Sequence, residues 1–355
     1  MMNRCLGTVA LVVLSFAFSA QVASAPPMVA FQIGGKAIEG LRILHTPAES
    51  VVLGTDGQMH ILEKASQSQL KVIDEKYKPQ SAIEMRRDLQ VEYGPRFEVV
   101  ATRDFLIVQP KGRGDHWPRL FQSTHDGFAR SMRTRGVKVR KGNFPLVAVV
   151  MPDIDSMKRE LRRLKISLLD VAGVYNSLSN RVVTHDSGNR DYVEATVRHE
   201  TVHAAAYNMG IHSRLVQTPK WICEGLGQMF EPKASTRSGG SRLSDRVHSE
   251  SIRQLRTLLK TGGKAALAEE VWRIVRFDQA FSSSGQYRNA YATAWAMMFY
   301  LSERRPQDFA AMISRTSKLP SFKEYSQASR VKDFRELVGD PHDFAIEVVR
   351  FVESL

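Results

Sequence analysis

The hydrophobic pattern of this chain changes near residue 190, and that change limits the folds it can adopt. Before it, short apolar runs of strand length recur at 97–101, 105–108 and 146–151. From Asp191 onward the pattern is nearly all helical. Strands followed by helices predict an α+β fold. The uninterrupted apolar run at 146–151 is typical of a central strand.

A small β-rich module is predicted over residues 26–78, ahead of a larger domain over 79–355. Two short runs, 51–53 and 59–62, flank Asp56-Gly57, which is a hairpin signal. Ser81 and Glu84 then form a capping box that opens a helix.

The first 25 residues have the layout of a secretory signal peptide. Arg4 precedes an apolar run over 5–20, and Ala23-Ser24-Ala25 follows as a small-residue cleavage site. An uncleaved membrane anchor is the alternative, although the run is shorter than the roughly 20 residues that span a bilayer. We therefore expect an exported protein, periplasmic or extracellular, with no transmembrane segment after cleavage.

The mature chain would be basic and would keep one cysteine, Cys223, so it could form no internal disulfide. The formal charge is +13, and loss of Arg4 leaves an excess of twelve cations. Anionic cell-envelope polymers are candidate partners on this ground. The basic residues are scattered and form no nucleic-acid motif, so no specific nucleic-acid binding is predicted, and a solvated basic surface is the plain alternative.

The segment from His199 to His203 reads His-Glu-x-x-His. On a helix, residues four apart lie on one face, so both imidazoles can reach one ion. Glu200 lies about 100° round the helix, beside the ion rather than on it. This spacing suits a Zn²⁺ site in which a carboxylate takes a proton from metal-bound water. A chance match of the motif is the alternative.

A catalytic zinc site needs a third protein ligand, and Glu224 is the candidate. It falls on a second predicted helix that opens near Pro219, and its neighbours include Trp221 and Leu226. A carboxylate in such apolar surroundings needs a partner, which a metal could be. Cys223 is the rival ligand, and an ordinary surface carboxylate is the alternative reading of Glu224.

These motifs resemble those of the gluzincin metallopeptidases, and more narrowly the peptidase-MA-like family of exported bacterial proteins. The resemblance covers roughly residues 80–305. The segments that carry it are 92–94, 144–147, 199–208, 221–231 and 291–295. It implies a zincin-like domain with a mixed sheet, an active-site helix and a mostly helical C-terminal part. It also implies zinc held by His199, His203 and Glu224, with Glu200 as the base in hydrolysis of a peptide or protein substrate.

The sequence departs from the gluzincin pattern at two positions. Gln228 stands where thermolysin-like members have an acidic residue that orients a ligand histidine, so Glu231 or a backbone carbonyl is expected to take that role. Gly227 stands where relatives often have alanine.

Peptide hydrolysis also needs a group that stabilises the developing oxyanion. Tyr291 is the predicted residue, with Tyr287, His248 and His212 as rivals. A core tyrosine is the alternative reading of Tyr291.

Two further segments could border the cleft. Residues 171–175 or 181–184 are predicted to form its edge strand and to pair with an extended peptide, with an ordinary edge strand as the alternative. The Ser-, Gly- and Arg-rich segment 233–246 is predicted to be a surface loop, with a lid as the alternative.

Two alternatives to an enzyme remain open. One is a binding protein on the same fold, without turnover. The other is a basic module that binds anionic polymers.

Overall fold

A computed structural model describes residues 26–166, 171–237, 241–283 and 285–355. The predicted signal peptide, residues 1–25, lies outside the described residues, as do residues 238–240 of the predicted surface loop. The described chain is α+β, with two sheets followed by a helical half, as the sequence pattern predicts.

The elements follow the chain in a simple order. The strands are β1 (Met28–Ile33), β2 (Lys36–His45), β3 (Glu49–Gly54), β4 (Met59–Glu63), β5 (Lys71–Ile73), β6 (Phe97–Ala101), β7 (Phe105–Pro110), β8 (Leu146–Met151), β9 (Gly173–Asn176) and β10 (Arg181–His185). The α-helices are α1 (Lys64–Gln67), α2 (Ala82–Tyr93), α3 (His116–Thr134), α4 (Ile154–Arg163), α5 (Arg190–Asn208), α6 (Lys220–Met229), α7 (Ser249–Arg276), α8 (Tyr287–Arg304), α9 (Pro306–Ser317), α10 (Gln327–Leu337) and α11 (Pro341–Glu353).

The N-terminal strands form an antiparallel sheet of their own, in the order β4-β3-β2-β1-β5. The predicted hairpin is present as β3 and β4, with the turn at Asp56-Gly57. A small core around Val29, Phe31 and Val52 lies on this sheet.

Hydrogen bonds to backbone carbonyls connect the N-terminal sheet to the rest of the chain. The N–H of Met59 donates to the carbonyl of Leu178 at 2.7 Å. The side chain of Arg214 donates to the carbonyl of Gly57 at 2.7 Å and to that of Ser177 at 2.6 Å. These hydrogen bonds hold the sheet against the turn between β9 and β10.

The second sheet is mixed, in the order β6-β7-β8-β10-β9. The predicted central strand is β8, which is buried throughout and runs parallel to both β7 and β10. β9 pairs antiparallel with β10 and forms one edge. Of the two predicted edge segments, 181–184 therefore lies inside the sheet, and only β9 has a free side.

Helices cover both faces of this mixed sheet. On one face α3 and α5 contribute Phe121 and Val197 to a core with Phe105. On the other, α2 and α4 contribute Leu89 and Leu161. The sheet thus holds α5, which carries both histidines, in a fixed position.

The helical half is packed around α8. Helix α6 approaches α8 closely because residue 225 is glycine: a Cβ there would lie 2.5 Å from the carbonyl oxygen of Ala294. Trp295 and Phe299 of α8 are fully buried in the core of this half. Within the described residues, no helix combines the length and apolar character needed to cross a membrane.

Candidate metal centre

Helix α5 places His199 and His203 one turn apart, on the same side of the helix, with their rings close together. Their Nε2 atoms lie 3.0 Å apart, and the ring centroids are 4.7 Å apart in an edge-to-face arrangement. The helix begins at Arg190 with Asn189 as its cap, since the Asn189 side chain accepts from the Tyr192 N–H. The sequence motif is therefore helical, as its spacing requires.

Helix α6 returns the chain past these two rings and brings Glu224 to them. The Oε2 atom of Glu224 lies 3.3 Å from Nε2 of His199 and 3.7 Å from Nε2 of His203. The return starts at Gly210, whose φ of +73° is accessible to glycine without strain. The rival ligand Cys223 is buried beside the carbonyl of Thr218 and is not part of this group.

The three residues fit a zinc ion. One ligand atom from each of His199, His203 and Glu224 lies within 4.8 Å of the other two. Two imidazole nitrogens and a carboxylate oxygen are a donor set that catalytic zinc sites use, with a fourth position left for water. Among the described residues the group has no fourth member. Their side chains are 11% to 18% exposed, so a small molecule can reach them.

Electrostatics at the site favour positive charge between the rings. Burial would lower the pKa of His199, but hydrogen bonds to the carboxylates of Glu224 and Glu231 raise it well above its ordinary value. Burial would raise the pKa of Glu224, but contact with the two imidazoles holds it far below its ordinary value. A cation placed among these groups would meet the same stabilising field.

Gly227 makes room for the ring of His199. A Cβ at this position would lie 2.6 to 2.8 Å from three atoms of that ring, closer than such contacts occur. The His199 ring thus explains why this chain has glycine, and not the alanine of many relatives, at position 227.

Glu231 supports His199 from outside the group. Its Oε1 lies 2.9 Å from Nδ1 of His199, and its Oε2 lies 2.9 Å from Nε2 of His248. Nδ1 of His248 in turn lies 2.7 Å from the Ser251 hydroxyl. With Nδ1 engaged, His199 presents Nε2 to the centre, which is how second-sphere carboxylates orient metal-binding imidazoles. Gln228 does not take this role.

Glu200 lies beside the group with its carboxylate held by a strand. Its Oε2 accepts the backbone N–H of Tyr175 in β9 at 2.7 Å. Burial raises the pKa of Glu200 above its ordinary value, against the opposing effect of the two histidines. A fixed carboxylate with a raised pKa is suited to take up and return a proton near neutral pH.

These residues line one cleft of about 540 Å³. Tyr291 is among them, and burial, followed by the charges of Glu224 and Glu200, raises the pKa of its phenol. Tyr287 also lines the cleft but is 40% exposed. His248 lines it too, with its ring engaged as described above. His212 lines a different cavity, so the structure removes it from the oxyanion candidates.

Sequence reasoning missed the N–H of Tyr175, and it named His248 only as a rival oxyanion donor and not as a partner of Glu231. The N–H of Tyr175 is a backbone group, so no residue type signals it. His248 stands 45 positions or more from both histidines of the motif, and only the fold brings it to Glu231.

A second group of candidate metal ligands is formed by Asp104, His125 and Asp126. Arg103 forms ion pairs with both aspartates. One guanidinium therefore offsets part of the charge of the two carboxylates.

Comparison with known families finds one match. Residues 193–323 match the model of the family DUF1570, whose description reads "Protein of unknown function". The matched segment contains the three candidate ligands, Glu200, Glu231 and Tyr291, whereas Tyr175 lies outside it. The family description names no metal, and it does not conflict with the resemblance to gluzincins. No curated protein matches the chain.

Proposed function

We propose that this protein is a zinc-dependent hydrolase of the gluzincin type, most plainly a metallopeptidase that cleaves peptide bonds. The observation that carries the proposal is the convergence of His199 Nε2, His203 Nε2 and Glu224 Oε2 beside the fixed carboxylate of Glu200. A mixed sheet with an edge strand above the motif helix supports a zincin-like fold for the same region.

His199, His203 and Glu224 would hold the ion. Zinc bound there would supply Lewis acidity, polarising a carbonyl and lowering the pKa of a water to about 7. Glu231 keeps the His199 ring oriented, and Gly227 keeps space for it.

Glu200 is the proton carrier in this proposal. Its carboxylate, positioned by the Tyr175 N–H, accepts a proton from the attacking water and later gives it to the leaving amine. The raised pKa of Glu200 makes the first transfer easier, because a more basic carboxylate accepts the proton more readily.

Tyr291 is proposed to donate a hydrogen bond to the developing oxyanion. Its raised pKa keeps the phenol protonated, as a donor must be. An extended substrate would lie along the free edge of β9, adding a strand to the sheet through its backbone. In the same proposal, the protein is exported, and its basic surface contacts anionic polymers of the cell envelope.

A paired metal and activity measurement tests the proposal. Wild type is expected to contain zinc and to cleave casein or a peptide library, with loss of cleavage when a chelator removes the metal. Glu200→Gln is expected to keep the zinc and lose cleavage. Glu250→Gln, an exposed carboxylate in the same cleft, is the matched control and should retain both. Full metal with no cleavage by the wild type would instead favour a binding protein on this fold.

A further inference from the structure

A second cavity of about 540 Å³ lies outside the metal centre. It forms where the N-terminal sheet, the segment after α3, the turn after α5 and helix α9 meet. Its volume falls in the range of cavities that hold small molecules. We call it the basic cavity and define it by Lys138, Arg140, His212, Arg214 and Lys318.

The charge around the basic cavity is of one sign. Lys138, Arg140 and Lys318 are exposed, and none has an ion-pair partner among the described residues. No aspartate or glutamate is among the described residues that line the cavity. Cations gathered without carboxylates favour an anion, since each would gain Coulomb energy from it.

Arg214 adds a positive charge that the fold holds in place. Its guanidinium donates to the carbonyls of Gly57, Ser177 and Leu178 at 2.6 to 3.0 Å. These acceptors are neutral, and Asp56, the carboxylate whose charge acts on Arg214, does not line the cavity.

His212 supplies the second, independent observation. Its side chain is 1% exposed, and neither ring nitrogen has a hydrogen-bond partner among the described residues. Buried polar atoms without partners are rare and costly. Burial lowers the pKa of His212 to about 3, so the ring is neutral and offers one N–H donor and one bare nitrogen acceptor.

The rest of the wall is apolar. Ile43 and Leu53 come from the N-terminal sheet, Val137 from the segment after α3, and Ile313 from α9. A small inorganic anion would leave most of this apolar surface without a partner. A larger occupant could satisfy the cations, the walls and the histidine together.

We propose that the basic cavity binds an organic anion with a mostly apolar body and a neutral hydrogen-bonding group that reaches His212. The charged group meets the cations at the rim, and the apolar body contacts Ile43 and Ile313. This site is separate from the metal centre, so it does not depend on the hydrolase proposal.

Isothermal titration calorimetry with N-acetyl-L-leucine as the probe tests the proposal. The probe carries a carboxylate, an amide and an apolar side chain. N-acetyl-L-leucinamide removes the charge, and acetate removes the body; both are expected to bind at least about tenfold more weakly. Equal binding of acetate, or no binding of the probe, would overturn the proposal.

Variants locate the site. The exposed pair Arg140→Gln with Lys318→Gln should weaken binding at least about tenfold, whereas the equally exposed pair Lys332→Gln with Arg350→Gln should not. His212→Leu should also weaken binding, with circular dichroism to verify folding. Glu224→Gln should leave binding unchanged. Binding that survives the first pair, or that is lost only in Glu224→Gln, would place the probe elsewhere and refute the site.

Discussion

Nδ1 of His199 lies 2.9 Å from Oε1 of Glu231, although the two residues are 32 positions apart. The contact joins α5 to the segment that follows α6, so it ties the two helices that carry the candidate ligands. Burial would raise the pKa of Glu231, but hydrogen bonds to His199 and His248 lower it to about 2. Glu231 is therefore a carboxylate at neutral pH, in the state that orients an imidazole best.

Replacing Glu231 with glutamine should weaken zinc binding about 10- to 100-fold, because the neutral amide orients His199 less firmly. Competition with a chromophoric chelator measures the affinity. Glu250→Gln, which removes a carboxylate from the same cleft without touching a ligand, is the control. Equal affinity in Glu231→Gln and wild type would show that this contact does not support the metal.

Gly227→Ala should displace the ring of His199, because the new methyl group would lie 2.6 to 2.8 Å from it. We expect a lower zinc affinity, read with the same chelator. Gly142→Ala is the matched control, since a Cβ there would meet nothing closer than 3.4 Å. Normal zinc affinity in Gly227→Ala would mean that the ring can move without cost.

Tyr291→Phe should lower kcat by about 10²- to 10³-fold with little change in KM, because an oxyanion donor acts only in the transition state. Tyr287 is the exposed tyrosine one turn earlier, and Tyr287→Phe should change kcat only slightly. The reverse ranking in steady-state kinetics would assign the oxyanion role to Tyr287.

Acid should weaken a contact that holds the mixed sheet to its helices. The Glu92 carboxylate accepts two hydrogen bonds from Arg181, at 2.7 and 3.0 Å, and one from Arg163 at 2.6 Å. Burial would raise the pKa of Glu92, but these guanidinium groups lower it below its ordinary value of 4.5. The contact therefore stabilises the fold fully above pH 4.5, and that stabilisation is lost as the pH falls through the folded pKa.

Glu92→Gln should lower the free energy of unfolding at pH 7 by about 1–3 kcal/mol and should reduce the loss of stability as the pH falls below 4.5. Urea unfolding at several pH values measures both. Glu75→Gln, in an exposed carboxylate, is the control. Parallel pH profiles for Glu92→Gln and wild type would contradict this account.

Local signals in the sequence predicted much of the fold. The capping box at Ser81 and Glu84 is present, because it depends on residues one turn apart. The apolar run at 146–151 is the central strand β8, because a strand buried on both faces has no polar side. The four-residue spacing of His199 and His203 placed both rings on one side of α5 for the same local reason.

What depends on distant parts of the chain was harder to predict. The cap of α5 is Asn189, and sequence alone could not decide which of the neighbouring polar residues takes that role. The edge of the sheet near the motif helix is β9 and not β10, because β10 pairs with β8 across a crossover. His212, a predicted oxyanion candidate, lies in another cavity because the turn after Gly210 leads the chain away from the cleft.

Zinc content of purified protein tests the central claim most directly. The three converging atoms predict about one zinc ion per chain in the wild type, by mass spectrometry of the metal, and near-complete loss in both His203→Ala and Glu224→Gln. Circular dichroism should verify that both variants fold. Undiminished zinc in folded Glu224→Gln and His203→Ala, or none in a wild type supplied with zinc, would contradict the account.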